Sequence, residues 1–230
     1  MSFPDFNASD AHIQWQRFCD LSWYHDDLGV WLDISRMHVN ASDLQQLQPR
    51  MDKAFTAMQE LEAGAIANPD EQRQVGHYWL RTPELAPSSE LQQHVSREID
   101  LIAAFGRDVS NGTIKAPNGE AFTDVLWIGI GGSGLGPALM IKALQNPGEG
   151  LPFHFFDNVD PNGMSNVLAG LEGRLDRTLV VTVSKSGGTP EPHLGMEQAR
   201  HRLEAAGGQW AGQAVAVTML DSKLDQQAQK

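Results

Sequence analysis

Four short apolar segments alternate with helical patterns in the second half of the chain, and this alternation constrains the possible folds most strongly. The segments are continuously apolar or β-branched, as expected of parallel strands that are buried on both faces. They span Asp124 to Ile130, Pro152 to Phe156, Thr178 to Ser184 and Ala214 to Leu220. Helical patterns lie near residues 135–144, 164–171 and 190–205. The order predicts an α/β fold with an open parallel sheet sandwiched between helices.

The first half of the chain is predicted to be mostly helical. Ser42 and Asp43 are predicted to cap a helix that runs to Ala63, in which Pro49 is tolerated only at a start or a kink. A second helix is predicted to begin near Ser88 and to end before Gly106, with one buried stripe. That stripe consists of Leu91, Val95, Ile99, Ile102 and Phe105. Turn-forming residues 117–119 predict a boundary between a helical N-terminal region, residues 1–118, and a second domain, residues 119–230.

A glycine-rich segment, residues 129–136, follows the first predicted strand and leads into a helix. Gly129, Gly131 and Gly134 match the dinucleotide-binding fingerprint, and Asp157 ends the next strand where a ribose-binding acid would lie. This pattern leaves an NAD-dependent oxidoreductase open as a hypothesis. Two plainer interpretations are also open. The glycines can serve only close packing of the strand against the helix, and Asp157 and its neighbours can cap the following helix, which has Pro161 in its first turn.

A second loop, residues 184–189, follows the third predicted strand and also precedes a helix. Ser184, Ser186 and Thr189 supply hydroxyl groups, Lys185 supplies a positive charge, and Gly187-Gly188 is expected to expose backbone amides. Thr189 is also predicted to cap the helix that begins at Pro190. Such a loop is typical of a site for a small anion, although ordinary loop chemistry with a solvated lysine is the plainer alternative. Together the two loops favour a phosphorylated sugar over a dinucleotide.

With these residues in hand, the chain resembles the phosphoglucose isomerase family, in particular the N-terminal half of its bacterial and cyanobacterial members. The matching segments are Ile128–Ser133, Leu135–Pro137, Asn158–Pro161, Ser184–Thr189 with Glu191, Asp221–Asp225 and His77–Arg81 with Pro83. The resemblance implies a sugar-isomerase (SIS) domain with a five-stranded parallel sheet. Only four strands are predicted here, so we expect the chain to be truncated and the second domain to be incomplete at its C-terminal end.

The resemblance also implies a set of site residues. The substrate phosphate is expected to bind Ser184, Lys185, Ser186 and Thr189, and the sugar is expected to lie beside Gly132 and Ser133. The chain departs from the family at two positions. Gly134 stands where the family often has an acidic residue, and Gly188 replaces a frequent threonine, which removes one possible hydroxyl donor.

The catalytic acid–base residues of the family lie in a second SIS domain, so the resemblance implies that they fall beyond residue 230. No catalytic residue, metal site or cofactor is therefore expected within this chain, and we expect the chain alone to be inactive. Its histidines are predicted to be structural or on the surface. Those singled out are His77, His154, His193 and His201.

Charge and cysteine content exclude several classes of partner. The formal net charge is −12, which argues against binding to nucleic acid or to an anionic membrane. Cys19 is the only cysteine, so the chain forms no internal disulfide and a reducing cytoplasm is expected. The first residues lack the cationic start and apolar stretch of a signal peptide, and no apolar run could span a bilayer.

Three functions follow as hypotheses. The leading one is interconversion of glucose 6-phosphate and fructose 6-phosphate through an enediolate, with this chain carrying the phosphate-binding half and lacking the catalytic half. The alternative is a stand-alone SIS-type module that binds a sugar phosphate or regulates another protein, and the second alternative is the NAD-dependent oxidoreductase. Intact members of the family are usually homodimers or larger, so an assembly of this kind is expected of the intact protein.

Overall fold

The computed structural model describes residues 3–146 and 148–229. They form two compact units, and the division falls between Arg97 and Glu98, inside a helix. The predicted domain boundary after residue 118 stays a prediction.

The first unit contains two β-hairpins in addition to helices. Its elements are α1 (Ala11–Leu21), β1 (Ser22–His25), β2 (Val30–Asp33), α2 (Ala41–Glu62), β3 (Ile66–Asn68) and β4 (Arg73–Gln74). Short 3-10 helices follow at His77–Leu80 and Pro83–Leu85. Strands β1 and β2 pair antiparallel, as do β3 and β4. The sequence predicted neither hairpin.

Helix α2 begins earlier than predicted. Asn40, rather than Ser42 or Asp43, is its N-cap: the Asn40 side chain accepts the Asp43 N–H at 3.1 Å, and the Asp43 carboxylate accepts the Asn40 N–H at 2.8 Å. This reciprocal pair satisfies two backbone donors that the first helical turn leaves without partners. The helix continues through Pro49, so Pro49 does not mark its start.

The second unit is built on a four-stranded parallel sheet. After α3 (Ser89–Ser110), which contains the division between the units, come β5 (Asp124–Ile128), α4 (Gly132–Leu144), β6 (Phe153–Phe156), α5 (Pro161–Gly170), β7 (Thr178–Val183), α6 (Pro190–Ala205), α7 (Trp210–Gln213), β8 (Ala214–Val217) and α8 (Lys223–Ala228). The strand order is β6-β5-β7-β8, and every neighbouring pair is parallel. The predicted α/β fold is confirmed.

The two central strands are buried on both faces. Because successive side chains of a strand point to opposite faces, Leu126 and Ile128 join one apolar cluster, whereas Val125 joins another on the opposite face. The first cluster includes residues of α5 and α6, and the second includes Val109 at the end of α3. The near-continuous apolar character of β5 and β7 follows from this double burial.

The predicted buried stripe of α3 is wrong in its second half. The helix does not stop before Gly106 but continues to Ser110. Ile102 is 69% exposed and Phe105 is also exposed. Both line an open apolar groove together with Met140 and Leu144 of α4, so these side chains face the groove rather than a closed core.

A buried carboxylate connects strands β5 and β6 with the turn after α5 at the amino end of the sheet. Asp124, the first residue of β5, is 1% exposed and accepts hydrogen bonds from Arg174 Nε at 2.9 Å and from Thr123 Oγ1 at 2.8 Å. His154 Nε2 of β6 lies 2.9 Å from the same carboxylate, which agrees with the structural role predicted for this histidine. Burial alone would raise the pKa of Asp124, but the hydrogen bonds from Arg174, His154 and Thr123 outweigh it and lower the pKa.

We predict that Asp124→Ala lowers the free energy of unfolding at neutral pH by about 1.5–3 kcal/mol, the range for hydrogen bonds to a charged group. Because the pKa is lowered in the folded state, this stabilisation is present above the unfolded value of 3.8 and is lost as pH falls through the folded value. Urea unfolding of the wild type and of Asp124→Ala should therefore show that the difference between their free energies of unfolding narrows below about pH 4. Asp100→Ala, on the exposed surface of α3, is the control. An equal effect of both substitutions, or a difference independent of pH, would contradict the prediction.

Candidate functional site

Two glycine-rich loops follow neighbouring strands at the carboxyl edge of the sheet. Strands β5 and β7 are adjacent and in register, with Ile128 opposite Thr182. The chain moves from β5 outward to β6 and then returns to β7 on the other side of β5, so the strand order reverses between β5 and β7. In open α/β sheets, ligands bind in the crevice at such a reversal. The loops at 129–132 and 184–189 both begin at this point.

The first loop needs two of its glycines for close packing. A Cβ added to Gly129 would lie 2.6 Å from the Ser133 carbonyl oxygen, and one added to Gly134 would touch the Gly129 carbonyl oxygen. The indole N–H of Trp127 also donates to the Ser133 carbonyl at 2.8 Å. The packing interpretation of the fingerprint is therefore correct for Gly129 and Gly134.

Gly131 and Gly132, which lie between these two glycines, have different surroundings. Gly131 has φ +55° and precedes α4, a conformation that favours glycine. Gly132 begins α4, is exposed, and has open space where a Cβ would be. Ser133 follows it and is half-buried. Gly132 and Ser133, which are predicted to lie beside the sugar, are thus at the start of α4, next to the point where the strand order reverses.

The second loop uses two of its hydroxyl groups to order its own backbone. Ser184 is buried, and its hydroxyl accepts the Gly187 N–H at 3.1 Å. The exposed Ser186 hydroxyl accepts the Gly188 N–H at 3.2 Å. The prediction that both glycine amides face a ligand is therefore wrong. A hydroxyl that accepts one hydrogen bond still has its own proton to donate, so both serines keep a donor.

Thr189 takes the N-cap position of α6 without making the predicted capping bond. Its φ and ψ, −70° and 124°, are those of an N-cap, but among the described residues its side chain caps no backbone amide. A cap side chain binds the N–H of the second or third helical residue. The third is Pro192, which has no N–H, so only the Glu191 N–H remains as a possible partner.

The pair of prolines also weakens the helix end as an anion site. Pro190 and Pro192 both lack an N–H, so two of the first three helical residues offer no backbone donor. Any anion held here depends mainly on side chains. Lys185 is exposed, and it is the only cationic residue in the sequence of either loop.

Gly187 holds the second loop against the segment after β8. Its φ is +64°, and an added Cβ would touch the Leu224 backbone nitrogen and lie 3.0 Å from Ser222 Oγ. Segment 218–224 is not among the predicted site residues. The available signal was the family match over Asp221–Asp225; in the structure the Ser222 side chain accepts the Asp225 N–H and caps α8.

Of the two acidic residues after β6, Asp160 caps the following helix. Asp160 accepts the Gly163 N–H at 2.8 Å and the Asn162 N–H at 3.3 Å, with Pro161 in the first turn of α5. The capping interpretation is confirmed for Asp160. Asp157, the proposed ribose-binding acid, is exposed and accepts a hydrogen bond from the Asn158 side chain at 2.8 Å.

Comparison with known proteins identifies the family. A family model described as phosphoglucose isomerase matches residues 33–227. The chain belongs to the phosphoglucose isomerase family. It is 98% identical over 230 residues to a glucose-6-phosphate isomerase of Synechococcus sp. (strain CC9605), of which it covers 43%. It is 51% identical over 230 residues to that of Prochlorococcus marinus (strain MIT 9211), again covering 43%.

A solved phosphoglucose isomerase has the same fold over this region. The crystal structure of a glucose-6-phosphate isomerase from Chlamydia trachomatis matches with a TM-score of 0.77 at 29% identity, covering 97% of this chain and 43% of that one. The chain thus spans less than half the length of these relatives, and the predicted family resemblance is confirmed. Within the described residues, no cluster of metal-ligating side chains was found, and no helix is long and apolar enough to cross a membrane.

We predict that Gly187→Ala destabilises the protein, whereas Gly188→Ala is nearly neutral. Alanine at φ +64° costs about 1–2 kcal/mol from backbone strain alone, and contact with Leu224 adds to it. A Cβ on Gly188 would meet Ser186 Oγ at 3.8 Å, which is ordinary contact. Urea unfolding of both variants measures the difference. Equal stabilities would show that the loop does not need glycine at position 187.

Proposed function

We propose that this chain forms the phosphate-binding half of a glucose-6-phosphate isomerase and binds glucose 6-phosphate and fructose 6-phosphate at the carboxyl ends of β5 and β7. The observation that supports this proposal is that two loops of different composition begin side by side, where the strand order reverses between β5 and β7. One loop leaves open space at Gly132, and the other concentrates hydroxyl groups and an ammonium group.

The phosphate is proposed to bind Ser184, Lys185, Ser186 and Thr189. The Ser184 and Ser186 hydroxyls accept amide protons from within the loop and still have their own protons to donate. The Thr189 hydroxyl oxygen makes no capping bond within the described residues, and the hydroxyl proton is a further donor for a ligand. Charge-assisted hydrogen bonds of this kind contribute about 1.5–3 kcal/mol each. After ordering costs, an affinity between roughly millimolar and tens of micromolar is expected.

The sugar is proposed to extend from the phosphate toward Gly132 and Ser133. Adjacent strands lie about 4.8 Å apart, so a ligand at the end of β7 reaches the end of β5 within the length of a hexose. A side chain at position 132 would project into the open space there. Glycine therefore suits a position beside the sugar.

Isomerisation also needs groups that open the sugar ring and move a proton between C1 and C2 through an enediolate. We propose that these groups come from sequence beyond residue 230, since the chain covers 43% of its isomerase relatives. We further propose that the intact protein is a cytoplasmic homodimer or larger assembly that needs no metal or organic cofactor.

The proposed site is tested by Lys185→Ala. Loss of the ammonium group should weaken binding of glucose 6-phosphate and 6-phosphogluconate at least tenfold, equivalent to about 1.4 kcal/mol. Isothermal titration measures the affinity, and Lys142→Ala, an equal charge change on the exposed surface of α4, is the matched control. NADH should not bind either protein. Unchanged affinity in Lys185→Ala, or micromolar binding of NADH, would overturn the assignment.

We predict that residues 1–230 alone do not interconvert the two sugar phosphates and tend to associate. Strand β8 lies at the sheet edge, and its Val215-Ala216-Val217 run is uncharged and β-prone, which favours edge-to-edge pairing. A coupled assay should give the background rate, and light scattering should show oligomers. Efficient turnover by a monomeric chain would place the acid–base groups within these residues and contradict the prediction.

A further inference from the structure

We propose that Thr218, outside the phosphate-binding loop, is a positioning residue for that loop and is needed for its full affinity. This inference rests on the proposed function of residues 184–189. Thr218 follows the last residue of β8 and is half-buried. Its hydroxyl lies at the point where the segment after β8 crosses the start of the loop after β7.

The Thr218 hydroxyl contacts both the loop and the segment that supports it. Its Oγ1 lies 2.7 Å from the Ser184 carbonyl oxygen, 3.4 Å from the Lys185 carbonyl oxygen and 2.6 Å from Ser222 Oγ. The Ser184 carbonyl belongs to the first peptide of the loop. One side chain therefore connects the loop to the residue that caps α8.

The direction of these hydrogen bonds follows from the available protons. A carbonyl oxygen only accepts, so Thr218 donates its single hydroxyl proton to Ser184, at the shorter of its two carbonyl distances. The Ser222 hydroxyl then donates to Thr218 Oγ1. It also accepts the Asp225 N–H at 3.0 Å, which fixes its position at the start of α8. The result is an ordered chain of donors that runs from α8 into the loop.

This chain sets the orientation of the first loop peptide. The Ser184 N–H also donates to the Val217 carbonyl at 3.1 Å, so both backbone groups of Ser184 face β8. The C=O and N–H of a trans peptide point in opposite directions, and the chain contains no cis peptide among its described residues. Holding the Ser184 carbonyl toward β8 therefore directs the Lys185 N–H away from β8, toward the side of the sheet on which β5 lies.

Further contacts hold the loop on the same side. The Met219 N–H donates to the Lys185 carbonyl at 3.2 Å. Ser222 Oγ lies 3.0 Å from the position of a Cβ on Gly187, and Lys223 Cδ lies 3.9 Å from that on Gly188. The segment 217–224 thus lies along one side of the loop, and within this segment the Thr218 hydroxyl donates a hydrogen bond to the Ser184 carbonyl.

The experiment compares Thr218→Val, Thr218→Ser and Thr178→Val. Valine keeps the shape of threonine without the hydroxyl, and serine restores the donor. Thr178 is the matched control, because its Oγ1 donates to the Arg174 carbonyl at 2.9 Å at the opposite, amino end of β7. Isothermal titration with inorganic phosphate and with glucose 6-phosphate gives the affinity, and thermal unfolding gives the stability.

We expect Thr218→Val to bind both ligands about three- to tenfold more weakly, the loss that corresponds to one hydrogen bond. Thr218→Ser should bind like the wild type, and Thr178→Val should lose stability but no affinity. If Thr218→Val loses only stability, or if Thr178→Val loses equal affinity, the positioning role is wrong. If the wild type binds neither ligand, or if Lys185→Ala binds as well as the wild type, the proposed function fails instead and this inference falls with it.

Discussion

The parallel pairing of β5 with β7 determines where every proposed ligand-binding residue lies. The two strands are separated in sequence by β6 and two helices, yet they are paired along the whole length of β5. Both are buried on each face, and the register is therefore fixed, since a slip by one residue would exchange the two apolar clusters. This pairing brings together the loops that follow the two strands, although nothing in the sequence of either loop indicates that they are neighbours.

Glycines that look alike in the sequence serve different purposes in the structure. Gly129 and Gly134 allow the end of β5 to approach the start of α4, whereas Gly132 leaves space that nothing in the described structure occupies. The dinucleotide fingerprint combines Gly129 and Gly134 with Gly131, at which a Cβ would meet no neighbouring atom within 4 Å, so its letters alone could not show which glycines serve packing. Residues 184–188 also combine two roles. The Ser184 and Ser186 hydroxyls, which are proposed to bind phosphate, accept hydrogen bonds from the amides of Gly187 and Gly188 and so order their own loop.

The parallel sheet could be predicted from the sequence because its strands are apolar on both faces. All four predicted strands are present, and α6 has the predicted bounds. The hairpin β1–β2 could not be predicted in this way, because β2 is exposed along its whole length and shows no alternation of buried and exposed residues. The end of α3 was misplaced because Gly106, which suggested a stop, lies within a helix that carries on to Ser110.

The site was predictable only in its location. The order of strand, polar loop and helix placed residues 184–189 at the carboxyl edge of the sheet. The contact of Thr218 with Ser184 depends on the pairing of β8 with β7, which no local pattern encodes. The loss of one of the two possible capping partners of Thr189 could have been deduced, since Pro192 is visible in the sequence and cannot donate.

The parallel order of the sheet also has a consequence for the time course of folding. Val125 pairs with Phe153, whereas Asp124 pairs with Thr178, nearly twice as far along the chain. Each doubling of a loop adds about 0.6 kcal/mol to the entropy cost of closing it, so the β5–β6 contact is the less costly one to form first. We therefore expect the crevice between β5 and β7 to form after the β5–β6 contact, and the segment after β8 to order the neighbouring loop later still. The proposed binding surface is thus expected to be among the last parts of this unit to become structured as the chain folds.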